Sequence, residues 1–315
     1  MSTPNNCTIA TCSVKEYGQI AYIPSLPGNA IYAGIFGLLL LLQIFLGIRY
    51  RTWGFLVGMA CGIVLEIVGY IGRLMLYNNI FDKNSFIIYL IGLTIGPAFL
   101  TAAIYLCLSR IITIYALELS LLKPRTIACI FVACDFISLV LQAAGGAIAS
   151  TADDDDTNQL GINVMIAGLA SQVVSLAIFI AICGHFAWKV FKNPQKLIPE
   201  HALLRNTRRF KGFLIGIAAA VITITVRSSY RLAELQDGFN GQLANDEVTF
   251  MILEGPMIII AVTGLTAWHP GLVLGQKLWS DAGFHFRTKK ASLNHYKEVN
   301  DSSTEQIPMS PHSRV

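Results

Sequence analysis

The sequence predicts an all-α integral membrane protein, a seven-transmembrane helix bundle with the N-terminus outside the cell and the C-terminus in the cytosol. Only 13% of the 315 residues are charged, about half the usual share, while 54% are hydrophobic and the mean hydropathy is +0.58. The few charges are also excluded from seven long apolar segments, each near the roughly 20 residues that a spanning helix needs. This composition excludes disorder, a coiled coil and a disulfide-dense secreted scaffold.

The seven predicted helices follow one another with short connections. They cover approximately residues 31–48, 53–72, 86–108, 126–149, 162–187, 212–234 and 248–269. Helix is the structure predicted for each segment, because a spanning segment must satisfy its backbone polar groups internally. Pro97 and Pro256 are expected to kink or interrupt the third and seventh helices. Six charged residues remain inside the segments: Glu66, Asp135, Arg227, Arg231, Glu234 and Glu254.

The positions of lysine and arginine predict the orientation of the bundle. The connections 49–52, 109–125 and 188–211 hold twelve of these residues, whereas the tail and connections on the other side hold three. By the positive-inside rule the first set lies in the cytosol. The acidic run at residues 153–156 then lies outside, as does the N-terminus.

The chain is therefore predicted to consist of an extracellular tail, a seven-helix membrane domain and a cytosolic, largely disordered tail, at residues 1–29, 30–271 and 272–315. The extracellular tail carries a sequon at Asn6, which predicts N-glycosylation. Cys7 and Cys12 lie on the same tail, where a disulfide and two free thiols both fit. The plasma membrane is the expected location, with another membrane of the secretory pathway as the alternative. The cytosolic tail is a candidate site for a regulatory protein.

Polar side chains recur within the predicted helices at a spacing of seven residues. Seven residues make almost two full helical turns, so such pairs share one helix face. Ionisable groups inside a bilayer are costly, usually face the protein interior and mark functional sites. We therefore predict a polar substrate cavity, biased toward the outer half of the bundle. Its predicted lining is Glu66, Arg73, Asp135, Gln142, Arg227, Arg231, Glu234, Glu247 and Glu254.

The predicted cavity holds more acidic than basic residues. Three arginines face five carboxylates, so either some acids are protonated or the cavity suits an amphiphile with a cationic head group. Buried arginine–glutamate pairs also serve to lock helices together, a structural role that fits Arg231 with Glu234. Gln142 with Gln172 fits an interhelical hydrogen bond better than a ligand contact.

The sequence shows no motif for catalysis or for binding a cofactor or a metal. It lacks a Gly-x-x-x-x-Gly-Lys-Ser/Thr loop, a Gly-x-Ser-x-Gly elbow and a lysine in the seventh helix that would hold retinal. His185 and His269 are the histidines at membrane level, too few for a His-rich metal cluster. We expect no enzyme activity, no cofactor, no metal and no nucleic-acid partner. The expected partner is a membrane lipid or an amphiphilic small molecule.

An ordered set of short motifs runs from about Tyr22 to Gly271. It comprises Tyr22-x-Pro24, Glu66-x-x-Gly69-Tyr70-x-x-Arg73, Pro97-Ala98-Phe99 with Tyr105 and Arg110, Asp135-x-x-Ser138-x-x-x-Gln142-x-x-Gly145-Gly146, Gly168 with Gln172, Arg227-x-x-Tyr230-Arg231-x-x-Glu234, Glu247, Glu254, Pro256-Met257 and His269-Pro270-Gly271. This set resembles the fungal lipid-translocating exporters, a family with members in 7-aminocholesterol resistance, sphingoid long-chain-base export and protoporphyrin uptake. The family usually has Tyr and Asp where this chain has Met251 and Glu254, so the carboxylate is one methylene longer here.

The resemblance implies a fungal multi-pass membrane protein of lipid translocation or export, or of resistance to amphiphilic toxic compounds such as drugs. The implied substrate is a sphingoid base, a sterol analogue or a porphyrin-like molecule. Two alternatives stay open. A seven-helix receptor or sensor that regulates lipid asymmetry or a stress response fits the outer N-terminus and the lack of a motor, although the Asp-Arg-Tyr and Asn-Pro-x-x-Tyr receptor motifs are missing. A membrane lipid-modifying enzyme is the other.

Overall fold

The computed structural model describes residues 20, 22–116, 119–121, 123–151, 154–236 and 246–281. The chain divides into two units, Met1–Asp281 and Ala282–Val315, and the described residues all belong to the first. Regular structure in this part of the chain is helical throughout. Seven helical stretches are long and apolar enough to cross a membrane. The predicted fold class, an all-α bundle with seven candidate transmembrane helices, is confirmed; the sidedness of the termini stays a prediction.

The first six predicted segments each lie within a longer observed helix. These helices are α1 (Leu26–Tyr50), α2 (Trp53–Asn78), α3 (Lys83–Tyr115), α4 (Pro124–Thr151), α5 (Asp155–Lys192) and α6 (Arg208–Gln236). The seventh span consists of α7 (Glu247–Leu253) and α8 (Gly255–Ala267), and α9 (Pro270–Asp281) follows it.

Polar caps account for the extra length of two of these helices. The side chain of Asp82 accepts hydrogen bonds from the amides of Asn84 and Ser85 at the start of α3. Asp154, from the acidic run, accepts one from the amide of Thr157 at the start of α5. Such caps satisfy amides that have no partner within the helix. They lie beyond the apolar stretch, so hydropathy alone places the helix ends too far inside.

The spanning helices form a ring that closes on itself. Consecutive helices from α1 to α6 pack against one another, and α8 packs against both α6 and α1. In addition, α3 contacts α6 across the ring. Over its most apolar stretch α3 has 56% of its residues buried, against 22% for α1. Because α3 contacts both α2 and α6, the ionisable residues of those two helices lie beside the most buried helix of the bundle.

Glycines allow two helix pairs to approach closely. A Cβ atom added to Gly92 on α3 would lie 2.6 Å from the backbone nitrogen of Gly69 on α2. A Cβ atom added to Gly145 on α4 would lie 2.5 Å from the backbone nitrogen of Met165 on α5. Small residues are the usual means by which membrane helices bring their backbones together. At these two crossings any larger side chain forces the helices apart.

The two intramembrane prolines have different effects. Pro97 lies inside α3, which continues through it as one helix. Pro256 lies in the first turn of α8, and the seventh span is broken just before it, at Glu254. The sequence predicted a kink or an interruption at both prolines, and the structure shows an interruption at the second.

Helical structure continues beyond the predicted domain boundary at residue 271. In α9 the side chains of Val273, Leu274 and Trp279 are buried, and the ring of Trp279 meets that of Phe55 edge to face. Gly275 has a φ of +71° and kinks this helix. The predicted glycosylation at Asn6, the Cys7 and Cys12 thiols and the tail after residue 281 lie outside the described residues.

Candidate functional site

Five of the nine predicted site residues form one connected group, here called the charged cluster. Its members are Glu66, Arg227, Arg231, Glu234 and Glu254. Each member is at most 6% exposed.

Glu254 bridges the two arginines of the charged cluster. Its Oε2 atom lies 2.5 Å from Nε of Arg227, and its Oε1 atom lies 3.0 Å from Nε of Arg231. Arg231 Nη1 also donates a hydrogen bond to Oε2 of Glu234 at 2.7 Å. Arg227 Nη2 lies 3.9 Å from Oε1 of Glu66, the longest ion pair of the group.

Helical spacing and a helix break bring these groups together. Arg227 and Arg231 are four residues apart and Glu234 is three further on, so all three lie on one face of α6. Glu254 lies at the junction between α7 and α8. Pro256 has no amide hydrogen to offer the carbonyl of Ile252 four residues earlier, which accounts for a break at this point. The break therefore lies where the carboxylate meets the arginine face of α6.

Pro97 contributes an acceptor to the charged cluster through a missing hydrogen bond. In an unbroken α-helix the amide of residue 97 donates to the carbonyl of residue 93, but proline has no amide hydrogen. The carbonyl of Leu93 instead accepts a hydrogen bond from Arg227 Nη2 at 2.5 Å. Arg227 thus joins α3 to α6, and its ion pairs with Glu66 and Glu254 add α2 and the seventh span.

The charged cluster has one carboxylate more than it has arginines. Glu66, Glu234 and Glu254 face Arg227 and Arg231. Removing charges from water is costly, and a buried charge without a counter-charge is the most costly of all. Arg73, which interacts electrostatically with Glu234, adds a third buried positive charge next to the cluster and offsets this difference.

Arg73 lies among aromatic rings next to the charged cluster, where it interacts electrostatically with Glu234. Its Nε atom donates to Oδ1 of Asn29 and its Nη2 atom to the hydroxyl of Tyr22, both at 3.0 Å. The guanidinium lies 3.9 Å from the ring centre of Phe250 and 5.1 Å from that of Tyr89, distances typical of cation–π contacts. Burial raises the pKa of Tyr22, which precedes α1, to about 12, so this phenol stays neutral at physiological pH.

Glu247 contacts the start of α1. Its Oε1 atom accepts a hydrogen bond from the backbone amide of Ser25 at 2.5 Å. Ser25 is the N-cap of α1, where a negative charge is favourable because the helix dipole is positive at that end. The hydroxyl of Tyr32 also donates to the carbonyl of Met251 at 2.7 Å, so two contacts join α1 to α7. We predicted Glu247 as a cavity residue, and the structure places it in this connection.

The polar residues of α4 face α3 and α5. Asp135 Oδ2 accepts hydrogen bonds from the hydroxyls of Thr101 and Tyr105, at 2.8 and 2.9 Å. Gln142 Nε2 donates to Oε1 of Gln172 on α5 at 3.1 Å, which confirms the predicted interhelical hydrogen bond. Neither Asp135 nor Gln142 joins the charged cluster within the described part of the chain.

A small cavity adjoins the arginines of the charged cluster. It measures about 10 Å³, the room that one water molecule needs. Its lining comes from α3, α5 and α6, through Thr94, Leu169, Gln172, Arg227, Ser228 and Arg231. A ligand larger than a water molecule does not fit between these three helices as they are packed here.

Uncharged side chains complete these sites, and the sequence did not identify their roles. Asn29 and Tyr89 contact Arg73, and Thr101 contacts Asp135. The role of Thr101 could have been predicted from helical spacing, because Thr101 and Tyr105 are four residues apart on α3 and share the face that meets Asp135. The contacts of Asn29 and Tyr89 join distant parts of the chain, so no local pattern reveals them.

The chain matches one family model and several proteins of Saccharomyces cerevisiae. The family model described as RTA1 like protein matches residues 59–277. The chain is 33% identical to "Sphingoid long-chain base transporter RSB1" of Saccharomyces cerevisiae (strain JAY291), covering 93% of this chain and 83% of the relative. It is 30% identical to "Protein RTM1" of Saccharomyces cerevisiae, covering 64% and 63% of the two chains. It is 29% identical to "Protoporphyrin uptake protein 1" of Saccharomyces cerevisiae (strain ATCC 204508 / S288c), covering 64% of each chain. No solved structure matches the chain significantly.

Proposed function

Because the chain belongs to the RTA1-like family, which confirms the resemblance described above, we propose that it transports or exports a membrane lipid or a related amphiphile. The favoured substrate has a long apolar chain and a cationic head group, as a sphingoid long-chain base does. A relative that is 33% identical over most of both chains carries this substrate in its name, "Sphingoid long-chain base transporter RSB1".

The observation that carries this proposal is the set of carboxylates buried in the charged cluster. Glu66 has its nearest arginine nitrogen at 3.9 Å, so of the three carboxylates it is the one best placed to pair with a cationic head group. The apolar chain would remain among lipid-facing helices while the head group reaches the cluster. Passage requires α3, α5 and α6 to separate around the small cavity.

Purified protein in liposomes tests the proposal directly. We expect the protein to speed the movement of a fluorescent long-chain base between leaflets and to leave its neutral N-acetyl derivative unaffected. Glu66→Gln should abolish the effect, and Glu200→Gln, the same change at an exposed loop residue, should preserve it. Equal movement of the two lipids would refute the requirement for a cationic head group.

A sensor is the second candidate function, and one observation favours it. The space beside the charged cluster holds about one water molecule, so binding there need not lead to passage across the membrane. In the same liposomes a sensor would bind the long-chain base with saturation and leave its distribution between leaflets unchanged. An enzyme that modifies the lipid would change the mass of the lipid instead.

The predicted setting of the protein completes the proposal. It comprises a plasma-membrane location, an outer N-terminus glycosylated at Asn6, a role in resistance to toxic amphiphiles and a regulatory partner at the cytosolic tail. The distribution of lysine and arginine supports the orientation. Loss of a glycan from an Asn6→Gln variant, seen as faster migration in a gel, would establish the outer position of the N-terminus.

A further inference from the structure

We propose that Asp135 is a second binding site for the cationic head group, joined to the charged cluster by a line of polar side chains between α3, α4 and α5. The inference rests on the proposed transport function and adds the path that the head group takes. The ligand is the protonated primary amine of a long-chain base, which pairs with the Asp135 carboxylate. Asp135 and the charged cluster are then successive sites on one path.

Asp135 is a buried carboxylate without a basic partner. The three carboxylates of the charged cluster each pair with an arginine, whereas no lysine or arginine among the described residues interacts electrostatically with Asp135. Its Oδ2 atom accepts hydrogen bonds from Thr101 and Tyr105, but its Oδ1 atom has no hydrogen-bond partner in the described part of the chain. Burying a carboxylate without a counter-charge is costly, and a protonated amine supplies both the charge and a donor for Oδ1.

Aromatic rings beside Asp135 also favour a cation. Tyr105, whose hydroxyl binds Asp135, has its ring centre 4.7 Å from that of Phe179 and 5.5 Å from that of Phe131. Phe131 lies one helical turn before Asp135 on α4. Aromatic rings attract ammonium groups, so the surroundings of Asp135 combine two features that bind a cationic amine. A neutral or anionic head group gains from neither of them.

A line of polar residues, here called the polar seam, connects Asp135 with the small cavity beside the charged cluster. Its members are Thr94 and Thr101 on α3, Asp135 and Gln142 on α4, and Gln172 and Ser175 on α5. Thr94 and Gln172 line the cavity, and Gln142 donates a hydrogen bond to Gln172. Gln142 is seven residues from Asp135, so the two share one face of α4 about 10.5 Å apart. Thr94 and Thr101 have the same spacing on α3.

Unpaired polar atoms occur along the polar seam as well as at Asp135. Gln142 Oε1 and Ser175 Oγ are buried and have no hydrogen-bond partner among the described residues. Ser175 is three residues after Gln172 and four before Phe179, so it lies on the face of α5 that joins the cavity to the rings near Asp135. Nearly all buried polar atoms in proteins are paired. Three unpaired acceptors along one line therefore indicate a path for a hydrogen-bond donor such as an ammonium group.

The test is carbodiimide coupling of the amine to the carboxylate in liposomes. A membrane-permeant carbodiimide activates a carboxyl group, and a primary amine paired with that group attacks the acyl carbon, forms an amide and releases the urea. Mass spectrometry of peptides should find the amide of the long-chain base on Asp135, and none with the N-acetyl derivative, which has no free amine. Absence of this adduct from Asp135 would overturn the second site, even if a carboxylate of the charged cluster reacts. Carbodiimide labelling of Asp135 that the long-chain base leaves unchanged would also overturn it, because the carboxyl group then holds a proton in place of the head group.

Variants connect the second site to transport. Asp135→Asn removes the charge but keeps an acceptor for the two hydroxyls, and it should slow the movement of the long-chain base between leaflets on the order of tenfold or more. Asp135→Glu, which keeps the carboxylate, should retain most of the movement, and Asp156→Asn, the same change at an exposed position, should match the wild type. Movement at the wild-type rate by Asp135→Asn would overturn the path and leave the proposed transport standing. Absence of protein-dependent movement by the wild type would refute both transport and the path, and the adduct would then decide the binding site by itself.

Discussion

Replacing Glu254 with Gln is expected to destabilise the protein more than replacing Glu234 with Gln. Both changes remove one negative charge from the charged cluster and preserve side-chain size. They differ in what they leave behind. Glu254 is the only cluster carboxylate with two arginine partners, at 2.5 and 3.0 Å, whereas Glu234 pairs with Arg231 alone at 2.7 Å.

The contact geometry gives the size of the difference. A glutamine at 254 keeps one oxygen as an acceptor and turns an amide donor toward the other arginine. Arg231 would retain Glu234, but the only counter-charge left in contact with Arg227 would be Glu66 at 3.9 Å, beside its hydrogen bond to the Leu93 carbonyl. Leaving a buried charge without its partner costs about 3–5 kcal/mol. In Glu234→Gln, Arg231 keeps Glu254, so the cost is that of one charged hydrogen bond, about 1.5–3 kcal/mol.

Thermal stability in detergent provides the assay. Each variant is heated, and the fraction that remains folded is measured by size-exclusion chromatography. At about 2–4 °C per kcal/mol, Glu254→Gln should lower the Tm on the order of 10 °C, and Glu234→Gln roughly half as much. If Glu254→Gln melts within about 2 °C of the wild type, or above Glu234→Gln, then Glu254 does not hold the cluster together as argued.

Three other perturbations test separate parts of the structure. Pro97→Ala should leave the Tm nearly unchanged, because replacing proline inside a helix stabilises it by about 3 kcal/mol and so offsets the lost hydrogen bond between Arg227 and the Leu93 carbonyl. The same variant should slow transport in liposomes, and unaltered transport would contradict a role for that hydrogen bond. Gly92→Ala should cost about 1–3 kcal/mol in the same heating assay, whereas Gly34→Ala, with open space around its Cβ position, should not. Hydrogen bonds from the first turn of α3, led by a serine hydroxyl, lower the pKa of Asp82. Its stabilisation is therefore complete above about pH 4, the unfolded pKa, and is lost as pH falls through the lower folded pKa. The difference in unfolding free energy between wild type and Asp82→Ala should shrink over that range, and a constant difference would exclude the cap.

The contacts of Arg227 indicate which interactions the proposed transport has to change. Arg227 is held by the Leu93 carbonyl, Glu254 and Glu66 at once, so it joins the helices that line the small cavity to α2 and the seventh span. In the proposed transport, movement of these helices therefore has to break or rearrange the contacts of Arg227.

Local patterns in the sequence predicted much of the fold. The apolar stretches alone located seven spans, because hydrogen-bonding groups in a bilayer must be satisfied within a helix whatever the neighbouring helices do. They could not locate the ends, since the caps of α3 and α5 depend on single polar residues such as Asp82 and Asp154. Hydropathy also did not predict α9, whose Trp279 packs against the ring of Phe55 on the distant helix α2.

The sequence by itself determined the candidate ionisable residues and the helix faces on which they lie, because charge is rare in these spans and helical spacing is fixed. Only the tertiary structure decided which of them meet. Glu66 and Glu254 join Arg227 across three elements, whereas Asp135 binds hydroxyls, Glu247 caps α1 and Arg73 lies among aromatic rings. The physical reason is that spacing fixes direction only within one helix. The partner of a buried charge depends on how helices rotate and cross, and here glycine contacts and the break at Glu254 set those positions.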